Sequence, residues 1–108
     1  MSYKIIATSN FRKEAKKLSK KYPSLKNEIT ELGQQLSVDP TLGISIGNNC
    51  YKVRLAIASK GKGKSGGSRV ISYVQVTQES VFLLSIYDKS EKENISDREL
   101  KNMLRQIE

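Results

Sequence analysis

The chain holds only two prolines, and their positions divide it. Proline lacks the N–H a helix interior needs and pushes the residue before it out of helical geometry. Pro23 therefore ends one helix, and Asp39-Pro40 ends another. Before the first stop, Phe11, Ala15, Leu18 and Tyr22 recur at helical spacing and make one apolar face. The rest of that helix is basic: Arg12, Lys13, Lys16, Lys17, Lys20 and Lys21. Ser9 or Asn10 is placed to cap its start. Between the stops, Leu25, Ile29, Leu32 and Leu36 give the second helix its inner face. Such faces are ordinarily buried as core.

The remaining elements read mostly as strands. Tyr3 to Ser9 mixes β-branched and apolar residues and forms a short first strand. Thr41 to Asn49 reads as loop. Cys50 to Ala58 then alternates, with Tyr51, Val53, Leu55 and Ile57 on one side and Lys52 and Arg54 on the other. Ser59 to Ser68 is a loop of Lys, Gly and Ser. Arg69 to Thr77 is strand, Gln78-Glu79-Ser80 a turn, and Val81 to Tyr87 a nearly continuous apolar run of the kind found in central strands. Ser96-Asp97-Arg98-Glu99 is a capping box for a last helix carrying Leu100, Met103, Leu104 and Ile107. The predicted order is β-α-α-β-β-β-α. It describes one α+β domain over residues 1–108: two N-terminal helices packed on a small antiparallel-rich sheet, with a short C-terminal helix.

Charge narrows the function. The net charge is +8, and there is no histidine. That excludes Ser-His-Asp and Cys-His catalysis, His-ligated zinc and an imidazole proton shuttle. Residues 40–78 carry Lys52, Arg54, Lys60, Lys62, Lys64 and Arg69 and no acid. A basic stretch without internal counter-ions calls for an external anion, of which polyphosphate is the usual one. The same lack of carboxylates argues against a metal-dependent nuclease, so neither metal nor cofactor is expected. Ala58 to Ser65 fits a relaxed phosphate-loop pattern, but a strand follows it where that motif needs a helix. It is better read as a cationic hairpin loop whose lysines, Lys60, Lys62 and Lys64, reach a phosphate chain. Cys50 is a lone cysteine and the N-terminus shows no signal-peptide pattern, so a reducing, cytoplasmic setting is expected.

Three segments together resemble toxins of the RelE superfamily in type II toxin–antitoxin systems, with the HigB-type branch closest. They are Cys50-Tyr51-Lys52-Val53-Arg54-Leu55, the glycine-rich Ser59 to Ile71, and Leu84-Ser85-Ile86-Tyr87-Asp88-Lys89-Ser90-Glu91. Tyr22-Pro23-Ser24 and the Ser-capped last helix extend the resemblance over nearly the whole chain. It implies a microbial-RNase-like fold and cleavage of mRNA in the ribosomal A site. It also implies inhibition by a cognate antitoxin, often one with a helix-turn-helix domain, and binding to operator DNA only through the antitoxin complex.

The resemblance also implies site residues. Lys52 and Arg54 match paired basic positions, one of them base or phosphate clamp. Arg69 matches a phosphate-stabilising arginine. Lys89 stands where the RelE branch has a second arginine, which keeps the charge but loses bidentate geometry. That branch has a tyrosine a few residues further on; Ser90 to Asn94 contains none, which leaves Tyr87 or Tyr73 for the role. Asp88 is a candidate orienting or base residue. Metal-free RNA cleavage needs a base for the 2′-hydroxyl, cations for the phosphate and an acid for the leaving 5′-oxygen. Lysine is a poor base at neutral pH unless neighbouring cations lower its pKa. Such a site should depend on the ribosome to hold mRNA in a reactive geometry. Two other readings compete: a ParE-like gyrase inhibitor of the same superfamily, and a non-catalytic RNA- or ribosome-binding module.

Overall fold

A computed structural model describes residues 2–60 and 66–107. The elements, in chain order, are β1 (Lys4–Ala7), α1 (Ser9–Lys21), α2 (Leu25–Val38), β2 (Ile44–Gly47), β3 (Cys50–Leu55), β4 (Ser68–Gln75), β5 (Ser80–Asp88) and α3 (Asp97–Arg105). The five strands form one sheet in the order β1-β5-β4-β3-β2. β2 through β5 are antiparallel to their neighbours, whereas β1 lies parallel to β5. The antiparallel run from β3 to β5 and the two N-terminal helices are as the pattern predicts.

Two local expectations change. Thr8, not Ser9 or Asn10, caps α1: its side chain accepts from the Phe11 N–H, while Ser9 already sits in the helix. The stretch read as loop before Cys50 contains the edge strand β2. Asn48 and Asn49 turn it back onto β3 with φ of 56° and 59°. Asparagine tolerates that left-handed region, and two such residues in succession suit a tight hairpin.

The sheet is covered on both faces. On one side α1 and α2 bury Phe11, Leu25, Leu32 and Leu36 against Val53, Val70, Val74, Val81, Leu83 and Ile86. On the other, Leu100 of α3, flanked by Met103 and Leu104, packs on Cys50, Ile71, Leu84 and Tyr87. The capping box of α3 forms as predicted, with Ser96 and Glu99 bonding reciprocally. No helix among the described residues is long and apolar enough to cross a membrane.

An irregularity in β5 decides which way its last residues face. Ser72 pairs with Leu83 but Ile71 pairs with Ser85, so Leu84 is an extra residue. Such a bulge shifts strand alternation by one. Leu83 and Ile86 thus both face α1 and α2, while Leu84 and Tyr87 both face α3. Glu14 of α1 satisfies the groups the bulge frees. Its Oε1 accepts from Ser85 Oγ at 2.7 Å and from the Ile86 N–H at 3.3 Å. Without the bulge Tyr87 would point into the helical side.

Candidate active site

Sheet register brings three of the expected residues into one row. Arg54 of β3 stands directly opposite Arg69 of β4, and Arg69 directly opposite Tyr87 of β5. All three belong to the α3 face. Lys52 lies on the same face two residues from Arg54, opposite Ile71. Directly opposed residues in an antiparallel pair have Cβ atoms only about 5 Å apart, so the two guanidinium groups share one neighbourhood.

The row is electrostatically strained. Arg69 is 3% exposed and its Nη1 donates to the Ser68 carbonyl at 3.0 Å. Burial and the nearby Arg54 charge push its pKa below the usual arginine value, with Tyr87 working weakly the other way. Tyr87 is buried, and its hydroxyl has no hydrogen-bond partner among the described residues. Burial raises its pKa and the Glu99 charge adds to that, while Arg69 partly offsets it. The phenol therefore stays protonated at neutral pH with its proton unengaged. A buried polar group left without a partner is costly, and an incoming anion would relieve both it and the opposed arginines.

The connection from β5 to α3 runs over this face. Asn94 accepts from Lys52 Nζ at 2.8 Å, and Lys92 Nζ stands 5.5 Å from the Tyr87 ring centroid. Lys92 is itself ion-paired to Glu99. Neither Asn94 nor Lys92 is legible as a site neighbour in the sequence: the polar run after β5 carries no spacing that says where it crosses the sheet. Lys89 lies one residue past β5, half-buried, with its N–H donated to the Gly67 carbonyl. Tyr73, the other tyrosine considered, is on the same face but four residues along β4 from Arg69, against Phe82 with ring centroids 6.0 Å apart.

Two expected residues lie elsewhere. Asp88 is 1% exposed and faces the helical side, because neighbouring strand residues alternate and the bulge has already turned Tyr87 toward α3. It accepts from the Tyr22 hydroxyl at 2.7 Å, from Ser90 Oγ at 2.7 Å and from the Ser90 N–H at 2.9 Å. It also pairs with Lys60, whose side chain is only 9% exposed. Burial alone would raise the carboxyl pKa, but the bonds from Lys60, Tyr22 and Ser90 outweigh it and hold the group well below the carboxylate range. Lys60 is thus committed to Asp88 and to the Tyr22 ring, 5.6 Å from its centroid, rather than presented to solvent. Asp88 is an anion of an internal network on the opposite face of the sheet from Tyr87. Lys62 and Lys64 fall outside the described residues.

Comparison with known proteins places the chain in a family. The family described as "RelE toxin of RelE / RelB toxin-antitoxin system" matches residues 3–107. Among solved structures, a doubly substituted E. coli toxin RelE in the free state superposes with a TM-score of 0.66 at 16% identity, covering 100% of both chains. The RelBE2 toxin–antitoxin complex from Mycobacterium tuberculosis gives 0.55 at 16% identity, over 82% of this chain and 99% of the other. The intact E. coli RelBE toxin–antitoxin complex gives 0.51 at 22% identity, over 81% and 96%. At such identities the structures testify to the fold, and the family match over nearly the whole chain carries the assignment: this protein belongs to the RelE family of toxins from toxin–antitoxin systems.

Proposed function

We propose that this toxin is a metal-independent endoribonuclease that cuts mRNA on the ribosome and so blocks translation. The observation that carries the reading is the row itself, a buried guanidinium opposed by a second one beside a buried phenol whose proton is unengaged. That set matches what a phosphodiester needs. Arg69 and Arg54 hold the non-bridging oxygens as charge builds on them. The ribose 2′-oxygen gives up its proton, attacks the adjacent phosphorus and displaces the 5′-oxygen, leaving a 2′,3′-cyclic phosphate and a 5′-hydroxyl. Tyr87, kept protonated by burial, supplies the proton to the departing 5′-oxygen. Lys52, on the same face two residues from Arg54, is the candidate for the 2′-proton; Lys89 closes the β5 end. Lys60 and Asp88 hold the scaffold and take no part. A site with so weak a base relies on the ribosome to present the scissile bond, which lets the chain do without histidine.

The likeness of Lys52 to Arg54 and of Tyr87 to Glu91 to the HigB-type branch extends the reading to partners. A cognate antitoxin of the helix-turn-helix kind holds the toxin inactive, the pair binds operator DNA through the antitoxin, and the site of action is the cytoplasm. The test is a primer-extension assay of ribosome-programmed and naked mRNA, using wild type, Arg54→Ala and Arg69→Lys. We expect cleavage only on the ribosome, and a loss of about a hundredfold for either variant with its circular dichroism spectrum unchanged. Equal cleavage of naked RNA would remove ribosome dependence. Growth arrest by either variant with mRNA intact would remove the nuclease and favour gyrase inhibition or simple binding.

A further inference from the structure

The α3 face carries a second hollow, at the far end of β4 from the row. Arg69, Ile71, Tyr73 and Gln75 alternate along one side of β4. Leu100 packs on Ile71. Beyond it, Tyr73 and Gln75 open into a pocket of about 400 Å³. The half-buried rings of Tyr73 and Phe82 form its aromatic wall. Four side-chain amides stand around them: Asn48 and Asn49 from the turn between β2 and β3, Gln75 from the end of β4 and Gln78 from the turn after it. The two asparagines stand on a fixed backbone. The Asn49 carbonyl accepts from the Val74 N–H at 2.9 Å, and the Asn48 carbonyl from the Cys50 thiol at 3.4 Å. Among the described residues none of the four side-chain amides has a hydrogen-bond partner. The lining residues are all uncharged.

We propose that this pocket binds a nucleobase, either of the RNA strand whose phosphate lies on the row or of the ribosomal RNA beside it. The two ends of the face divide the work as a nucleotide divides its chemistry. The opposed arginines draw the charged phosphate, whereas an uncharged pocket has nothing to offer it. Aromatic faces stack on a base of any kind, and each side-chain amide presents a donor beside an acceptor, the pattern that a base edge answers. An aliphatic side chain would cover the rings and leave the four amides without partners; a flat heterocycle satisfies both. The volume is that of a small-ligand pocket. Tyr73 is four residues from Arg69, about 13 Å along the strand, a separation that a short stretch of extended RNA covers. The inference rests on the ribonuclease reading for the strand that supplies the base, but not for the pocket's own affinity.

The test is nuclear magnetic resonance titration of the full-length protein with adenosine, uridine and ribose 5-phosphate, followed on the side-chain amide signals of Asn48, Asn49, Gln75 and Gln78. Expected are shifts of these signals with both nucleosides at millimolar concentration and none with ribose 5-phosphate, which has no base. Affinity for adenosine should fall about tenfold in Tyr73→Leu, which keeps apolar bulk and removes the stacking face. It should fall severalfold in Gln78→Ala, whose site is exposed and leaves the fold intact. On programmed ribosomes the same variants identify the source of the base. An altered distribution of cut sites assigns the pocket to the message; an unaltered distribution with weaker ribosome binding assigns it to ribosomal RNA. Nucleosides that leave the four amides unmoved, or ribose 5-phosphate that moves them equally, would overturn the proposal even where the wild type cuts mRNA. So would variants that lose nucleoside affinity yet match the wild type in both cut sites and ribosome binding. Nucleoside shifts in a toxin that cuts nothing would keep the pocket and remove the nuclease.

Discussion

Replacing Asp88 with asparagine isolates the buried network that closes the helical side. The carboxylate accepts bonds from Tyr22, from Lys60 and twice from Ser90, and is 1% exposed. The substituted amide would keep the shape but turn a neutral group toward an ammonium whose side chain is 9% exposed. Removing one partner of a buried ion pair costs about 3–5 kcal/mol, mostly because the other charge is left uncompensated. We take the lower end, about 3 kcal/mol, because the Lys60 ammonium keeps the Ser90 hydroxyl, at 3.2 Å, as an acceptor. At roughly 4 °C per kcal/mol for a domain of this size, the melting temperature should fall by about 12 °C. The sign of the pH dependence follows from the depressed carboxyl pKa. Its contribution is fully present above the ordinary carboxylate value near 4 and is lost as pH falls from there toward the folded value. Urea unfolding of wild type and Asp88→Asn at about pH 7 and again at about pH 3 reads both effects, and the gap should narrow at the lower pH. A gap below about 1 kcal/mol at neutral pH, or one that does not change with pH, would refute the account.

Tyr87→Phe should leave stability unchanged or raise it by up to about 1 kcal/mol, because the hydroxyl it removes is buried without a partner. On programmed ribosomes the same variant should lose about a hundredfold in cleavage, the separation expected of a proton donor and not of a packing residue. The Cys50 thiol is fully buried and its pKa is pushed up to about 11. It should resist a disulfide-exchange reagent at about pH 8 and react only after denaturant is added.

Much of the fold is legible in the chain because its signals are local. Pro23 and Pro40 punctuate the helices, the Ser96–Glu99 box starts α3, and the alternation from Tyr51 to Leu55 sets Lys52 and Arg54 on one face. β2 escapes a reading of the sequence although Asn48-Asn49 is a fair hairpin signal, since Ile44–Gly47 is short and mostly exposed and shows no run of its own. The site is legible only in part. Arg54, Arg69 and Tyr87 lie far apart in sequence, and their meeting depends on register across three strands. Which of Tyr87 and Asp88 faces the row depends on one extra residue in β5, which no period-two reading of a largely apolar strand reveals. Lys60 reads as a loop cation because its neighbours are Lys, Gly and Ser, while the carboxylate it pairs with is 28 residues on.

The pairing of β1 with β5 has a temporal side. Residue 4 is hydrogen-bonded beside residue 80, and the strand between β1 and β4 is the last of the five to be synthesised. Contacts so distant in sequence form late and slow folding. A nascent chain thus carries both N-terminal helices without β5, part of the sheet they cover, and Arg54 and Arg69 without Tyr87, until β5 has been made. The row is therefore completed by the last strand made, after both helices and both arginines are already in the chain.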